Sequence, residues 1–283
     1  MISRVGIVGS GIMGSGIAEV AAKAGFEVIL RSRHGATAEA MVAALEKSLA
    51  KQVEKGRLED AERDEVLSRV SATERLTDLA DCDLVIESVV EDLAIKKELF
   101  AELDRVVKDG AILATNTSTL PVVEMAVETG RPDRVCGVHF FNPAPAMSLV
   151  EIIRPLTASD ETIEQVREFA TSCGKTSVEV ADRAGFIVNA LLFPYLNNAV
   201  RLLESGTASR DDIDAAMKGG CNFPMGPLAL LDLVGLDTSV AILDALYDEF
   251  RDPNYSAMPL LRRMLAAEHL GRKSGKGFYD YSR

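Results

Sequence analysis

Val5-Gly6-Ile7-Val8-Gly9-Ser10-Gly11-Ile12-Met13-Gly14 decides the fold class. Val5–Val8 reads as a buried strand, three glycines in G-x-G-x-x-G spacing follow at once, and an apolar helical pattern opens at Ile12 and runs to Ala24. In that strand–turn–helix setting Gly9 permits a tight turn and Gly11 lets backbone approach a pyrophosphate. Gly14 lets the helix pack closely on the strand, and the helix N-terminus offers amide donors to the anion. A glycine-rich turn without a ligand is the alternative, and the context weighs against it. Gly9, Gly11, Ile12, Met13 and Gly14 are therefore the candidate cofactor-binding loop of a dinucleotide site.

Outward from this motif, short apolar runs alternate with helical stretches: Val28–Leu30, Leu84–Ile86, Ala111–Ala114, Val135–Phe141, Leu149–Ile153 and Ser177–Val180. Such alternation implies a mostly parallel sheet covered by helices. Beyond Ala184-Gly185 the strand-like runs stop and Phe186–Glu204, Arg210–Met217, Leu228–Leu233, Thr238–Phe250 and Pro259–His269 all read as helical. The expected organisation is α/β: a Rossmann-type dinucleotide-binding and catalytic domain over residues 1–184, then an all-α domain over 185–283. The 283-residue length suits two domains. Residues 39–69 read as one long charged helical insertion, with Lys47, Lys51 and Lys55 on one face. That face is either a solvated surface or a phosphate-binding one.

Composition narrows the function classes. With 31 Lys and Arg against 43 Asp and Glu the net charge is −12, the wrong sign for a protein that tracks nucleic-acid phosphates. No apolar run approaches the roughly 18–20 residues of a membrane span, and the opening residues do not read as a secretory signal. Cys82, Cys136, Cys173 and Cys221 are far apart and form no C-x-x-C, which suits free thiols in a reducing compartment and no metal site. A cytoplasmic protein without membrane or nucleic-acid partners is expected.

The end of the second strand selects the dinucleotide. An NAD site wants an acid there for the adenosine ribose hydroxyls, and this chain has Arg31-Ser32-Arg33. Two guanidinium groups around a small hydroxyl suit a 2′-phosphate. NADP(H) is favoured, with Ser32 and Arg33 as the contacts and NAD(H) as the alternative if both arginines face solvent.

Of three histidines, His34 sits in a loop and His269 in a last helical turn, whereas His139 interrupts the strand Val135–Phe141. The turn Asn142-Pro143-Ala144-Pro145-Ala146-Met147 leads into Leu149–Ile153, which Glu151 interrupts in turn. A hairpin centred on Pro145 sets His139 opposite Glu151, with Cβ atoms roughly 4.5–5.5 Å apart on one face. A buried lone carboxylate is costly, so Glu151 calls for a partner. The pair is either a structural clamp on the hairpin or a proton-transfer unit, and a dinucleotide site in the same domain favours the second. Thr115-Asn116-Thr117-Ser118-Thr119 ends a strand where side chains reach a ligand crevice, or else caps a helix before Pro121. Asn189 interrupts an apolar helix, and a buried amide there needs a partner from protein or ligand.

Taken together, Gly9–Gly14, Ile86-Glu87-Ser88-Val89-Val90-Glu91-Asp92, Asn116-Thr117-Ser118, His139-Phe140-Phe141-Asn142-Pro143, Gly185-Phe186-Ile187-Val188-Asn189, Pro224-Met225-Gly226-Pro227 and Gly271–Tyr279 resemble the L-3-hydroxyacyl-CoA dehydrogenase family over essentially the whole chain. Its bacterial members acting on 3-hydroxybutyryl-CoA are nearest in pattern. The resemblance implies reversible hydride transfer between an (S)-3-hydroxyacyl-CoA thioester and the 3-oxoacyl thioester. It implies His139 as acid/base, Glu151 as its orienting carboxylate, Ser118 and Asn189 as hydrogen-bonding partners of the reacting oxygen and its neighbourhood, and Asn142 as support. Glu91, Lys96 and Asn116 fall at the cofactor, Ser48 and Lys55 at the CoA moiety. The helical domain would close over the acyl chain and form most of a homodimer. Ser32 departs from the family's NAD-selecting acid, so NAD use does not carry over. Competing expectations keep the chemistry on an acyl-carrier-protein thioester or a sugar acid, or make the chain a non-catalytic dinucleotide binder like the family's crystallin relatives.

Overall fold

The computed structural model describes residues 2–282. Two compact units emerge, one ending at Asp182 and one beginning at Arg183. In the first, β1 (Arg4–Val8) feeds α1 (Ile12–Lys23) through the glycine turn, and β2 (Glu27–Arg31) returns beside β1 in parallel. Two helices follow, α2 (Gly35–Glu54) and α3 (Asp60–Ser68), then β3 (Val70–Thr73). Then come β4 (Leu84–Glu87), α4 (Leu93–Val106), β5 (Ile112–Thr115), α5 (Val122–Ala126), β6 (Val135–Phe140), β7 (Leu149–Arg154), α6 (Asp160–Ser172) and β8 (Thr176–Ala181).

The strands form one sheet in the order β3-β2-β1-β4-β5-β6-β7-β8. Neighbours run parallel except β6 and β7, whose short connection makes an antiparallel hairpin, while the α6 crossover returns β8 parallel to β7. Strand order reverses between β1 and β4, the switch point where doubly wound sheets place ligands. Val5, Ile7, Val28, Leu30, Leu84, Ile86, Ile112 and Ala114 all join the core that also holds Ile17, Met41, Leu45 and Leu49 of α1 and α2. Of these strands β1, β4 and β5 are buried on both faces, which is why they read as continuous apolar runs.

Two expectations need correction. The stretch 39–69 is not one helix: the chain breaks at Gly56, whose φ is +64°, and restarts at α3 behind a Glu59/Glu62 capping box. Leu30 does not end the second strand, because Arg31 still pairs with Val8.

The second unit contains α7 (Val188–Glu204), α8 (Arg210–Cys221), α9 (Pro227–Val234), α10 (Leu236–Phe250) and α11 (Pro259–Ala266). Phe193, Leu196, Leu228, Leu231, Leu243, Leu246 and Leu261 form its core. Two buried aspartates fasten its later segments. Asp214 accepts from the Leu228 and Ala229 amides at the start of α9 (2.8 and 3.0 Å) and from the Tyr279 hydroxyl at 2.9 Å. Asp232 accepts from the Phe278 and Tyr279 amides (2.8 and 2.9 Å) and the Tyr281 hydroxyl at 3.1 Å. A Cβ at Gly277 would lie 2.0 Å from the Asp232 carboxylate, so only glycine lets this strap close.

Candidate active site

The glycine turn has the geometry an approaching pyrophosphate requires. Gly9 has φ +132°, and a Cβ there would sit 2.2 Å from the Ser88 carbonyl oxygen. One on Gly14 would sit 2.2 Å from the Gly9 carbonyl oxygen. A Cβ on Gly11 would meet nothing within 4 Å, so that glycine keeps the surface above the turn clear rather than relieving a clash. No side chain caps the N-terminus of α1. Its first amides therefore remain available to an anion. Ile12 is largely exposed beside them, Met13 half-buried. These residues fit the diphosphate of a dinucleotide.

At the end of β2, Ser32 is buried and its amide donates to the Thr73 carbonyl. Arg31 and Arg33 part company here. Arg31 points to the sheet face opposite Val28 and Leu30, half-buried, with Nε lacking a hydrogen-bond partner. Burial lowers its pKa against the opposing pull of Glu102. Arg33 is exposed just past the strand.

The β6–β7 register pairs His139 with Glu151, as the hairpin centred on Pro145 requires. His139 Nδ1 lies 2.8 Å from Glu151 Oε2, and both residues are buried. A carboxylate at Nδ1 makes that nitrogen the N–H donor and leaves Nε2 as the acceptor in the neutral ring. Ser118 Oγ lies 3.1 Å from Nε2. The Phe141 ring packs on the imidazole with centroids 4.6 Å apart. Asn116 Oδ1 accepts from the Phe140 amide at 2.8 Å, so this side chain braces the strand that carries His139.

The hydroxyl cluster is not a helix cap. The Val122 and Val123 amides of α5 are taken by the Asp182 carboxylate, at 3.0 and 2.8 Å. Thr115 donates to Glu87 at 2.7 Å, Thr117 donates to Glu91, and the Ser118 amide donates to Glu91 at 2.9 Å. Lys96 is buried, with its ammonium 2.7 Å from Glu87 and 3.2 Å from Glu91. The family resemblance includes Glu87 but gives it no role. The signal was present, since a carboxylate ends the apolar run Leu84–Ile86 just as Glu151 interrupts its own strand.

On α2 and the turn beyond it, Lys47, Ser48, Lys51, Lys55 and Arg57 line one shallow groove. The Ser48 hydroxyl donates to the buried Glu19 of α1 at 2.9 Å, and the groove's cations are Lys47, Lys51, Lys55 and Arg57. Asn142 is exposed past the end of β6. In the second unit, Asn189 is buried in the first turn of α7. Among the described residues no cluster of three or more His, Cys, Asp or Glu is placed to hold a metal ion.

Residues 4–183 match the family model for the 3-hydroxyacyl-CoA dehydrogenase NAD binding domain, and residues 185–281 match the one for the 3-hydroxyacyl-CoA dehydrogenase C-terminal domain. The 3-hydroxybutyryl-CoA dehydrogenase of Mycobacterium tuberculosis is 50% identical, covering 99% of each chain. That of Clostridioides difficile is 48% identical, over 99% of this chain and 100% of its own. The crystal structure of (S)-3-hydroxybutyryl-CoA dehydrogenase from Ralstonia eutropha superposes with a TM-score of 0.97 at 42% identity, covering 100% of both chains.

Proposed function

Because the chain belongs to the 3-hydroxyacyl-CoA dehydrogenase family, we propose that it interconverts (S)-3-hydroxyacyl-CoA, preferentially 3-hydroxybutyryl-CoA, and the 3-oxoacyl-CoA. The observation that carries this reading is the line Ser118–His139–Glu151, with 3.1 and 2.8 Å steps, in the same unit as the glycine turn. The glycine turn Gly9–Gly14 would hold a nicotinamide dinucleotide, which would supply the hydride acceptor for C3 of the alcohol. In the oxidative direction His139 Nε2 takes the hydroxyl proton as the C3–O bond becomes a carbonyl. Glu151 holds the ring tautomer and stabilises the imidazolium. Ser118 donates to the reacting oxygen, Asn189 is assigned as a further donor to the substrate, and Asn142 supports the histidine region. The Lys47, Lys51 and Lys55 face takes the CoA phosphates, with Ser48, whose hydroxyl proton is held by Glu19, lining the same groove.

NADP(H) is the favoured cofactor. A serine at position 32 lacks the carboxylate that would accept from the ribose hydroxyls and repel a 2′-phosphate, and the exposed Arg33 stands beside it. A charge-assisted hydrogen bond is worth about 1.5–3 kcal/mol, which favours NADPH by roughly 10–100-fold in kcat/KM. The enzyme is assigned to the cytoplasm, in keeping with its four free cysteines.

The test is a panel of CoA thioesters of graded chain length, a carrier-protein thioester and sugar acids, assayed in both directions with both cofactors. Turnover of 3-hydroxybutyryl-CoA with NADP as the better partner is expected. Equal or better rates with NAD would overturn the cofactor assignment, and no turnover of any CoA thioester would overturn the activity. Ser32→Asp with Arg33→Ile should reverse the cofactor order while leaving the His139 chemistry intact.

A further inference from the structure

Glu87 touches neither the imidazole nor any surface a substrate can reach, being fully buried at the end of β4. It nevertheless accepts from three separate groups close to the catalytic line. Oε1 accepts from the Val89 amide at 2.6 Å and from Lys96 Nζ at 2.7 Å. Oε2 accepts from the same ammonium at 2.9 Å and from Thr115 Oγ1 at 2.7 Å.

Two routes leave Glu87 and meet at the segment Thr117-Ser118. Along one, Lys96 reaches Glu91 Oε2 at 3.2 Å, and Glu91 Oε1 accepts from the Thr117 hydroxyl and from the Ser118 amide at 2.9 Å. Along the other, Thr115 Oγ1 accepts from the Thr117 amide at 3.1 Å while it donates to Glu87. One ammonium is thus shared by two carboxylates, and its buried charge is divided in a fixed way between them. Remove the Glu87 charge and Lys96 has Glu91 as its sole ionic partner, so Glu91 is drawn toward the lysine and away from the Ser118 amide. The Ser118 hydroxyl is 3.1 Å from His139 Nε2, and its position follows its own backbone.

We propose that Glu87 is a positioning residue, which through Lys96–Glu91 and through Thr115 sets where the Ser118 hydroxyl stands relative to His139 Nε2. The proposal rests on the dehydrogenase reading above. It adds a determinant of rate that never contacts the reactants. Misplacement of a reacting group by about 1 Å costs on the order of 10²-fold. Glu87→Gln should therefore lower kcat by roughly 10–100-fold, with the KM for the acyl-CoA changed less than about 3-fold.

A double-mutant cycle separates positioning from simple loss of structure. In a Ser118→Ala background the hydroxyl that Glu87 places is gone, so Glu87→Gln should cost less than about 3-fold there. Thr115→Val, which cuts the other route, should behave in the same non-additive way, and Thr115→Ser should recover most of what Thr115→Val loses. If Glu87→Gln does not fold, the Thr115 pair carries the test alone. Equal costs in both backgrounds, or no cost in the Ser118 background of origin, overturn the proposal. Failure of the activity reading shows separately, as no turnover by the unmodified protein in the same assay.

Discussion

His139 and Glu151 were within reach of counting because a two-stranded hairpin turns sequence distance into spatial opposition. Glu87 was not, although its sequence signal was the same, because its partner Lys96 lies on a helix and no register links a strand end to a helix face. Arg31 and Arg33 were likewise indistinguishable as letters. Strand alternation sends Arg31 to one face of the sheet, and the chain's exit leaves Arg33 exposed. If His139 moves the proton, His139→Gln lowers kcat by about 10²–10⁴-fold and leaves dinucleotide affinity nearly unchanged. Steady-state kinetics with fluorescence titration of the reduced cofactor checks both halves, and near-normal turnover would return the pair to a purely structural role.

Strands with an apolar or β-branched run were legible, and the one without such a run was missed. β3 is Val70-Ser71-Ala72-Thr73, an edge strand with a partly exposed, small and polar composition that carries no period-2 signal. How α1 holds α2 was also hidden. Glu19 is buried between them, accepting from Lys23 at 2.9 Å, Gln52 at 2.8 Å and Ser48 at 2.9 Å. Burial alone would raise the Glu19 carboxyl, but the Lys23 ammonium and the Gln52 and Ser48 hydrogen bonds outweigh it and leave the pKa lowered. A carboxyl depressed in the folded state contributes stability that is present above its unfolded pKa and is lost as pH falls through the folded value. Glu19→Gln should therefore destabilise at pH 7, and its difference from the unmodified protein should shrink as acid protonates Glu19. Urea unfolding at a series of pH values measures this, and a difference independent of pH would contradict it. In the helical unit, Asp232→Asn would turn an amide N–H toward the Phe278 or Tyr279 N–H. A cost of about 1–3 kcal/mol is expected in denaturant unfolding, the penalty of an unsatisfied buried donor.

At the scale of the whole molecule, the switch from strand-forming to helical sequence near Gly185 was readable because the hydrophobic period changes there. What the helical unit presents outward was less so. Leu191 is 72% exposed, and Leu233, Leu202 and Ile187 are exposed too, leaving large apolar side chains on the outside of the unit. A homodimer through residues 185–283 is expected, with a light-scattering mass near twice 30.5 kDa. A monomer at micromolar concentration would refute it. The strap that closes on Asp232 has a consequence for how the protein is made. Domains fold as units during synthesis, N-terminal first. Every strand and helix of the first unit precedes Arg183, so that unit can complete its core while the ribosome is still translating the helices. The second unit cannot do likewise, because Asp214 and Asp232 wait for partners between Phe278 and Tyr281 that are translated long after them. Nascent chains arrested before Gly271 should yield a protease-resistant nucleotide-binding unit tethered to helices that are still digestible.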